Sequence, residues 1–260
     1  MYTLSWFDHL PLLAIFVLTV VFVFLSILGG IRLGTIMKQP DEEATSIGSI
    51  VGASLGLLAC LLAFTFNMAA NRFDQRKQLL MDDVNAVATA YRRAGMLPQA
   101  YEENARALVR EYLDLRVLAA QEPDKLKELI ARSEEIQNQL WSDIEKMAEQ
   151  ERLSLSHSLF IQAVNQMYEI QAKRVMLGLQ YRVPGAIWFG LYLIAAMAMV
   201  TVGYQSSLAK RHRYTVYLVL AIAFSAVMLM IFDLDRASGG LVTLSHQPFF
   251  ELQQKISAMP

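Results

Sequence analysis

The sequence predicts an all-α membrane protein with four transmembrane helices and a helical-bundle extramembrane domain inserted between spans 2 and 3. Four long apolar stretches contain no charged side chain, and about 20 apolar residues are enough to cross a bilayer. Apolar residues make up 55% of the chain, which is high for a soluble protein. Between the second and third stretches, apolar residues recur at helical spacing, without strand-like alternation.

Composition excludes several classes of function. The chain has 23 basic and 24 acidic residues, so nucleic acid is not an expected partner. Its one cysteine, Cys60, lies inside an apolar stretch and cannot form an intramolecular disulfide. The histidines lie far apart, without the spacing of metal ligands: His9, His157, His212 and His246. We therefore expect neither a metal nor a cofactor.

The first span is predicted at residues 10–31. This run is about twice as long as the apolar core of a secretory signal, and no Lys or Arg precedes it. Pro11 suits the first turn of a helix, and Gly29 and Gly30 are expected to mark its end. The lack of a polar face predicts contact with lipid.

The second span runs into a charged segment with no helix breaker between them. Residues 50–70 carry no charge, and charged residues begin at Arg72. After Gly56 there is no Gly or Pro until Gly95 and Pro98. One helix is therefore expected to leave the membrane and become the first helix of the helical domain.

One side of the second span carries small and weakly polar residues. At a turn of roughly 100° per residue they fall on one stripe, which Asn71, Asp74 and Gln78 continue outside the membrane. We call the part within the span the small-residue face: Ser49, Gly52, Gly56, Cys60, Ala63 and Asn67. Such a face either packs closely against another helix or lines a water-filled pore. The pattern alone leaves both interpretations open.

The predicted domain organisation assigns 1–71 to spans 1 and 2, 72–182 to the bundle, 183–236 to spans 3 and 4, and 237–260 to a tail docked on the bundle. Within the bundle, Gly95, Pro98, a turn at 121–124, Ser154 and Ser156 are expected to separate the helices. A polar patch in its first helix fits helix–helix hydrogen bonding or ligand binding: Asn85, Thr89, Tyr91, Arg92 and Arg93.

The third span is predicted at 185–204 and the fourth at 214–232. The fourth ends in two carboxylates, which oppose the dipole at a helix C-terminus and need partners. We expect a membrane-edge cluster that consists of Arg72, Asp74, Arg76, Asp233, Asp235 and Arg236. It is either a structural ion-pair ring or a cation or gating site.

Two segments carry a family resemblance. LGLLACLLAFTFNMAANRFDQRKQLLMDDVNAVATAYRRAGMLP (55–98) and DLDRASGGLVTLSHQPFFELQ (233–253) resemble the signatures of the bestrophin-like group of bacterial membrane proteins. With the span layout, the resemblance covers nearly the whole chain. The group is distantly similar to bestrophins, which are pentameric anion channels whose second membrane helix lines the pore.

The resemblance implies a homo-oligomeric channel in the bacterial inner membrane, with 49–67 as the pore helix and Phe64 or Phe66 as the candidate constriction. It implies that the helical domain is cytoplasmic. The positive-inside rule favours the opposite side, because the short loops carry basic residues: Arg32, Lys38, Lys210, Arg211 and Arg213.

Two functions therefore remain in competition. One is an ion channel, with the bilayer, further copies of the chain and small inorganic ions as partners, and with anions as the expected permeant species. The other is a non-conducting membrane scaffold or signalling protein whose helical domain binds a partner. We find no pattern of catalytic residues and expect no enzyme.

Overall fold

The computed structural model describes residues 11–37, 44–150, 154–180, 182–208, 214–236 and 239–258. These residues contain helices and connecting segments and no strand, which confirms the predicted all-α class. The α-helices of the described chain are α1 Leu12–Met37, α2 Ala44–Ala94, α3 Gln99–Gln121, α4 Leu126–Gln150, α5 Leu155–Val175, α6 Gly185–Leu208, α7 Tyr214–Asp235 and α8 Gln247–Ser257. Several residues considered above for metal binding or membrane orientation lie outside the described residues: His9, His212, Lys38, Lys210, Arg211 and Arg213.

The chain divides into two compact units. The first, which we call the membrane unit, comprises Met1–Asp74 and Leu179–Thr243. The second, the helical unit, comprises Gln75–Gly178 and Leu244–Pro260. Four helices in the described residues are long and apolar enough to cross a membrane: α1, the Ile47–Ala94 part of α2, α6 and α7. The predicted span count is confirmed.

The core of the membrane unit lies where α1 packs against α6 and α7. One side of α1 presents a buried residue every four positions: Ile15, Thr19, Val23, Ile27 and Ile31. Its other side exposes large apolar residues such as Leu13, Leu18 and Leu25. The predicted lipid contact therefore applies to one side of the helix.

The expected end of α1 at Gly29 and Gly30 is wrong, because the helix continues to Met37. A Cβ atom at Gly30 would overlap the carbonyl of Val200 on α6, and one at Gly203 would overlap the carbonyl of Ile27. Gly30 therefore serves the close approach of two helix backbones and does not act as a stop signal.

The continuous helix predicted from the second span is confirmed. α2 runs for 51 residues, more than twice the length that a membrane crossing requires. It ends at Ala94, directly before the break predicted at Gly95 and Pro98.

The core of the helical unit is formed by α3, α4, α5, α8 and the part of α2 after Gln75. Its largest fully buried side chains are Tyr112, Leu113, Ile136, Leu140, Phe160, Met167, Phe249 and Ile256. Phe249 and Ile256 belong to α8, so the C-terminal helix completes this core. Ser154 caps α5 in a reciprocal arrangement, because its hydroxyl accepts from the His157 backbone and His157 Nδ1 accepts from the Ser154 backbone.

Candidate functional site on the second span

All six residues of the small-residue face are exposed in the protomer. Exposed positions from Ser49 to Asp74 cover about half the circumference of α2, and the line through Ser49 and Asn67 runs along the middle of this half. The opposite side of the helix is buried at Val51, Leu58, Thr65 and Ala69. α2 therefore contacts its own membrane unit through the side opposite the small-residue face.

The glycines of this face have open space beside them in the described part of the protomer. A Cβ atom at Gly52 or Gly56 would meet nothing within 4 Å. By contrast, Gly30 and Gly203 are among the glycines that allow close packing, between α1 and α6. Within the described residues, Gly52 and Gly56 do not serve helix packing.

The outward sides of the other spans differ from that of α2 in residue type. They expose large apolar side chains, as expected for contact with lipid tails. Examples are Leu18, Leu25 and Ile36 on α1, Phe189, Leu193 and Met197 on α6, and Val219, Ile222 and Met230 on α7. Within the span, the exposed large apolar residues of α2 lie beside its small-residue face, at Ile50, Leu57 and Phe64.

The two candidate constriction residues lie in different environments. Phe64 is 67% exposed and flanks the small-residue face. Phe66 is partly buried and packs against the cluster of Ala69, Val183 and Ile231 inside the membrane unit. Of the two aromatic rings, Phe64 is the one available to a neighbouring molecule or to a lumen.

Within the membrane-edge cluster, Arg72 pairs with Asp235. Arg72 Nη1 lies 3.7 Å from Asp235 Oδ1, and both side chains are largely buried. The same Asp235 oxygen accepts a hydrogen bond of 3.0 Å from the Val183 backbone N–H. Asp235 thus fixes the chain before α6 and neutralises Arg72. Asp74 is exposed, Arg76 is half-buried, and Arg236 is 9% exposed at the end of α7.

Asp233 closes a turn of backbone. Its two carboxylate oxygens accept hydrogen bonds of 2.8 Å from the N–H groups of Leu241 and Val242. A Cβ atom at Gly240 would overlap this carboxylate, and Gly239 has a φ of 77°, a conformation that favours glycine. The described residues include no group of three or more His, Cys, Asp or Glu arranged to hold a metal ion. Asp233 and Asp235 both accept hydrogen bonds from backbone N–H groups.

The helical unit contains a buried polar network that was not predicted from the sequence. Asp83 is fully buried on α2 and accepts a hydrogen bond from Arg174 of α5, while Arg116 Nε on α3 lies 3.8 Å away. Arg116 also donates to the Tyr112 hydroxyl at 2.7 Å, and that hydroxyl donates to Gln171 at 2.7 Å. Burial raises the pKa of Tyr112 to about 12, although Arg116 acts in the opposite direction. The sequence signal for this network is Asp83 itself, a charged residue three positions after Leu80 on the apolar side of the helix.

Two residues of the polar patch predicted on α2 make helix–helix hydrogen bonds. The Tyr91 hydroxyl accepts from Arg110 at 2.9 Å, and Arg93 donates to the Leu159 carbonyl at 2.7 Å. Thr89 donates to the Asn85 carbonyl within α2. Arg92 is exposed. The patch therefore ties α2 to α3 and α5.

Comparison with known proteins gave a consistent family and fold. A family profile for the Bestrophin-like domain matches residues 14–249. A solved bacterial bestrophin homologue from Klebsiella pneumoniae is 14% identical, with a TM-score of 0.62 over 95% of this chain and 97% of that one. A mutant of the Klebsiella homologue is 13% identical, with a TM-score of 0.61 over 95% and 99% of the two chains. The comparison with curated proteins gave no match.

Proposed function

Because the chain belongs to the Bestrophin-like domain family, we propose that it is a subunit of a homo-oligomeric ion channel in which α2 lines the pore. The observation that carries the proposal is the contrast between the spans. α1, α6 and α7 expose large apolar residues, whereas the exposed side of α2 is centred on small and weakly polar ones.

Lipid is a poor partner for the small-residue face. The face includes the amide of Asn67 and the hydroxyl of Ser49, and polar groups without hydrogen-bond partners are costly in hydrocarbon. Of the four spans, α2 also has the smallest share of buried residues in its most apolar stretch, 11%. A helix with so few contacts in its own protomer is best stabilised by further copies of the chain.

In such an assembly, the small-residue face of each subunit would point to a common axis. Small side chains leave room for a hydrated lumen, and Asn67 would meet water there. Phe64, beside the face, is our candidate constriction, because an apolar ring can gate a pore by dewetting. A pentamer and the conduction of anions are what the bestrophin resemblance implies, and the bacterial inner membrane is the corresponding location.

The alternative is a non-conducting scaffold in which the same face is dry. Gly52 and Gly56 are four residues apart and leave open space around their Cα atoms. Small residues at this spacing allow helices of neighbouring subunits to approach closely. The two functions therefore differ in one property, which is whether water reaches the small-residue face.

The native Cys60 tests this difference. We expect a membrane-impermeant charged thiol reagent, added to both sides of a reconstituted bilayer, to modify Cys60 and to reduce ion flux. Cys60→Ala removes the reaction. In the Cys60→Ala background, Leu58→Cys tests the buried side of α2 and Val219→Cys tests a lipid-facing site on α7. Both introduced thiols are expected to stay unmodified. Protection of Cys60 together with an absence of flux would favour the scaffold.

A further inference from the structure

The charged residues at the end of the second span differ in their access to solvent. Arg72 is held by Asp235, Asp233 is buried against backbone N–H groups, and Arg236 is buried. Arg182 is half-buried. Among the described charged residues of the membrane unit, two are exposed: Arg32 and Asp74.

These two exposed charges lie at opposite ends of the spans. Arg32 is near the end of α1, close to the loop that leads into α2, whereas Asp74 follows the second span at its other end. On the helical wheel of α2, Asp74 lies roughly 20° from the line through Ser49 and Asn67. Arg72 points roughly 140° from that line, and Lys77, although exposed, points roughly 80° from it. Asp74 is therefore the charge aligned with the small-residue face.

We propose that Asp74 determines the charge selectivity of the pore by forming a carboxylate ring at its mouth that favours cations over anions. This inference rests on the proposed function, and it departs from the anion conduction that the resemblance implies. In a homo-oligomer each subunit contributes one carboxylate to the ring. Rings of Asp or Glu concentrate cations at a channel entrance, and low-dielectric walls strengthen the field.

Arg72, the basic residue nearest to Asp74 in the sequence, does not offset this ring. The carboxylate of Asp235 lies against Arg72, on the side of α2 away from the proposed lumen. Because Asp74 is exposed, dissolved salt screens its charge. The Debye length is about 10 Å at 0.1 M and about 30 Å at 0.01 M. Selectivity due to Asp74 should therefore be strongest at low ionic strength.

The first test uses full-length protein in bilayers and a thiol one turn from Asp74. In a Cys60→Ala background, Asn71→Cys is modified separately by a cationic and an anionic methanethiosulfonate at low ionic strength. One unit charge about 6 Å away in water favours the cationic over the anionic reagent by about tenfold. Adding Asp74→Asn should lower the ratio of the two rates by about that factor. Asp74→Glu should keep the ratio.

The second test measures reversal potentials in a potassium chloride gradient. Asp74→Asn should lower the permeability ratio of potassium to chloride. The matched control is Asp124→Asn, which removes an exposed carboxylate from the helical unit and should leave both readouts unchanged. A reactive thiol at position 71 whose rate ratio is unaffected by Asp74→Asn would overturn this inference and leave the pore in place. A thiol that reacts with neither reagent, in a protein without current, would overturn the pore and the inference together.

Discussion

Arg174 donates a hydrogen bond to the fully buried carboxylate of Asp83, and this contact joins α5 to α2 in the core of the helical unit. Arg116 approaches the same carboxylate from α3, so one acidic side chain connects three helices. Removing one partner of a buried ion pair leaves a charge without compensation, which typically destabilises a protein by about 3–5 kcal/mol. The contact is therefore expected to matter for stability.

Asp83→Asn should lower the free energy of unfolding by about 3–5 kcal/mol, because Arg116 then remains buried, and Arg174 half-buried, without a carboxylate. Denaturant unfolding of the full-length protein in detergent, followed by circular dichroism, measures the change. The matched control is Glu169→Gln, which removes the exposed ion pair with Lys173 on the same helix as Arg174. This control should cost less than about 1 kcal/mol. Equal effects of the two variants would contradict the structural role of Asp83.

Neighbouring glycines on α1 should respond differently to the addition of one methyl group. Gly30→Ala places a Cβ atom against the Val200 carbonyl, whereas Gly29→Ala places it in open space. We expect Gly30→Ala to destabilise the protein by about 1–3 kcal/mol, as overpacking does. Gly29→Ala should be neutral or stabilising, since Ala favours helix over Gly. The temperature at which each purified variant loses its monodisperse peak gives the comparison, and a more sensitive Gly29 would show the α1–α6 contact to be misplaced.

Asp233 is expected to act as a structural acceptor and not as a cation ligand. Asp233→Ala removes two hydrogen bonds between a carboxylate and backbone N–H groups, and we expect a loss of about 2 kcal/mol or more. Calcium at millimolar concentration should leave the melting temperature of the parent protein unchanged. A melting temperature that calcium raises in the parent but not in Asp233→Ala would instead assign Asp233 to a cation site.

His246 should make the helical unit sensitive to acid. Burial, together with the nearby positive charge of Arg174, lowers the pKa of His246 in the folded protein. Since the unfolded chain then binds a proton at a higher pH than the folded one, stability is fully present above the unfolded pKa of about 6.5 and is lost as the pH falls through the lowered folded pKa. His246→Gln should reduce the difference in melting temperature between pH 7.5 and pH 5. An unchanged difference would show that other groups cause the acid sensitivity.

Local signals in the sequence were sufficient for the element order. Pro98 and Ser154 each mark a helix boundary within a few residues, because proline restricts its own backbone and a capping residue bonds to the backbone beside it. The grouping of small residues on one side of α2 was also predictable, since helical periodicity separates Leu58 from Gly56 and Asn67 without knowledge of any other element. Whether that side is exposed was not.

Contacts between distant parts of the chain were not predictable. Gly30 looked like a stop signal because its partner, Val200, is 170 residues away in sequence. Asp83 lies among apolar residues, and its compensation by Arg116 and Arg174 depends on how α2, α3 and α5 pack. The hydrogen bonds from backbone N–H groups to Asp233 were not predictable either, because the helix dipole led us to expect basic partners.

A conducting pore lined by the small-residue face can be examined by ion efflux from liposomes that contain Gly56→Trp. A Cβ atom at Gly56 meets nothing within 4 Å, so the indole should not disturb the protomer. Gly190→Trp on α6 is the matched control, because its Cβ position is equally open. Chloride and potassium efflux are measured for the parent and for both variants, at equal reconstitution and assembly.

We expect efflux from the parent and from Gly190→Trp, and its loss in Gly56→Trp. Efflux that survives Gly56→Trp in a correctly assembled protein would contradict the assignment of the pore to α2.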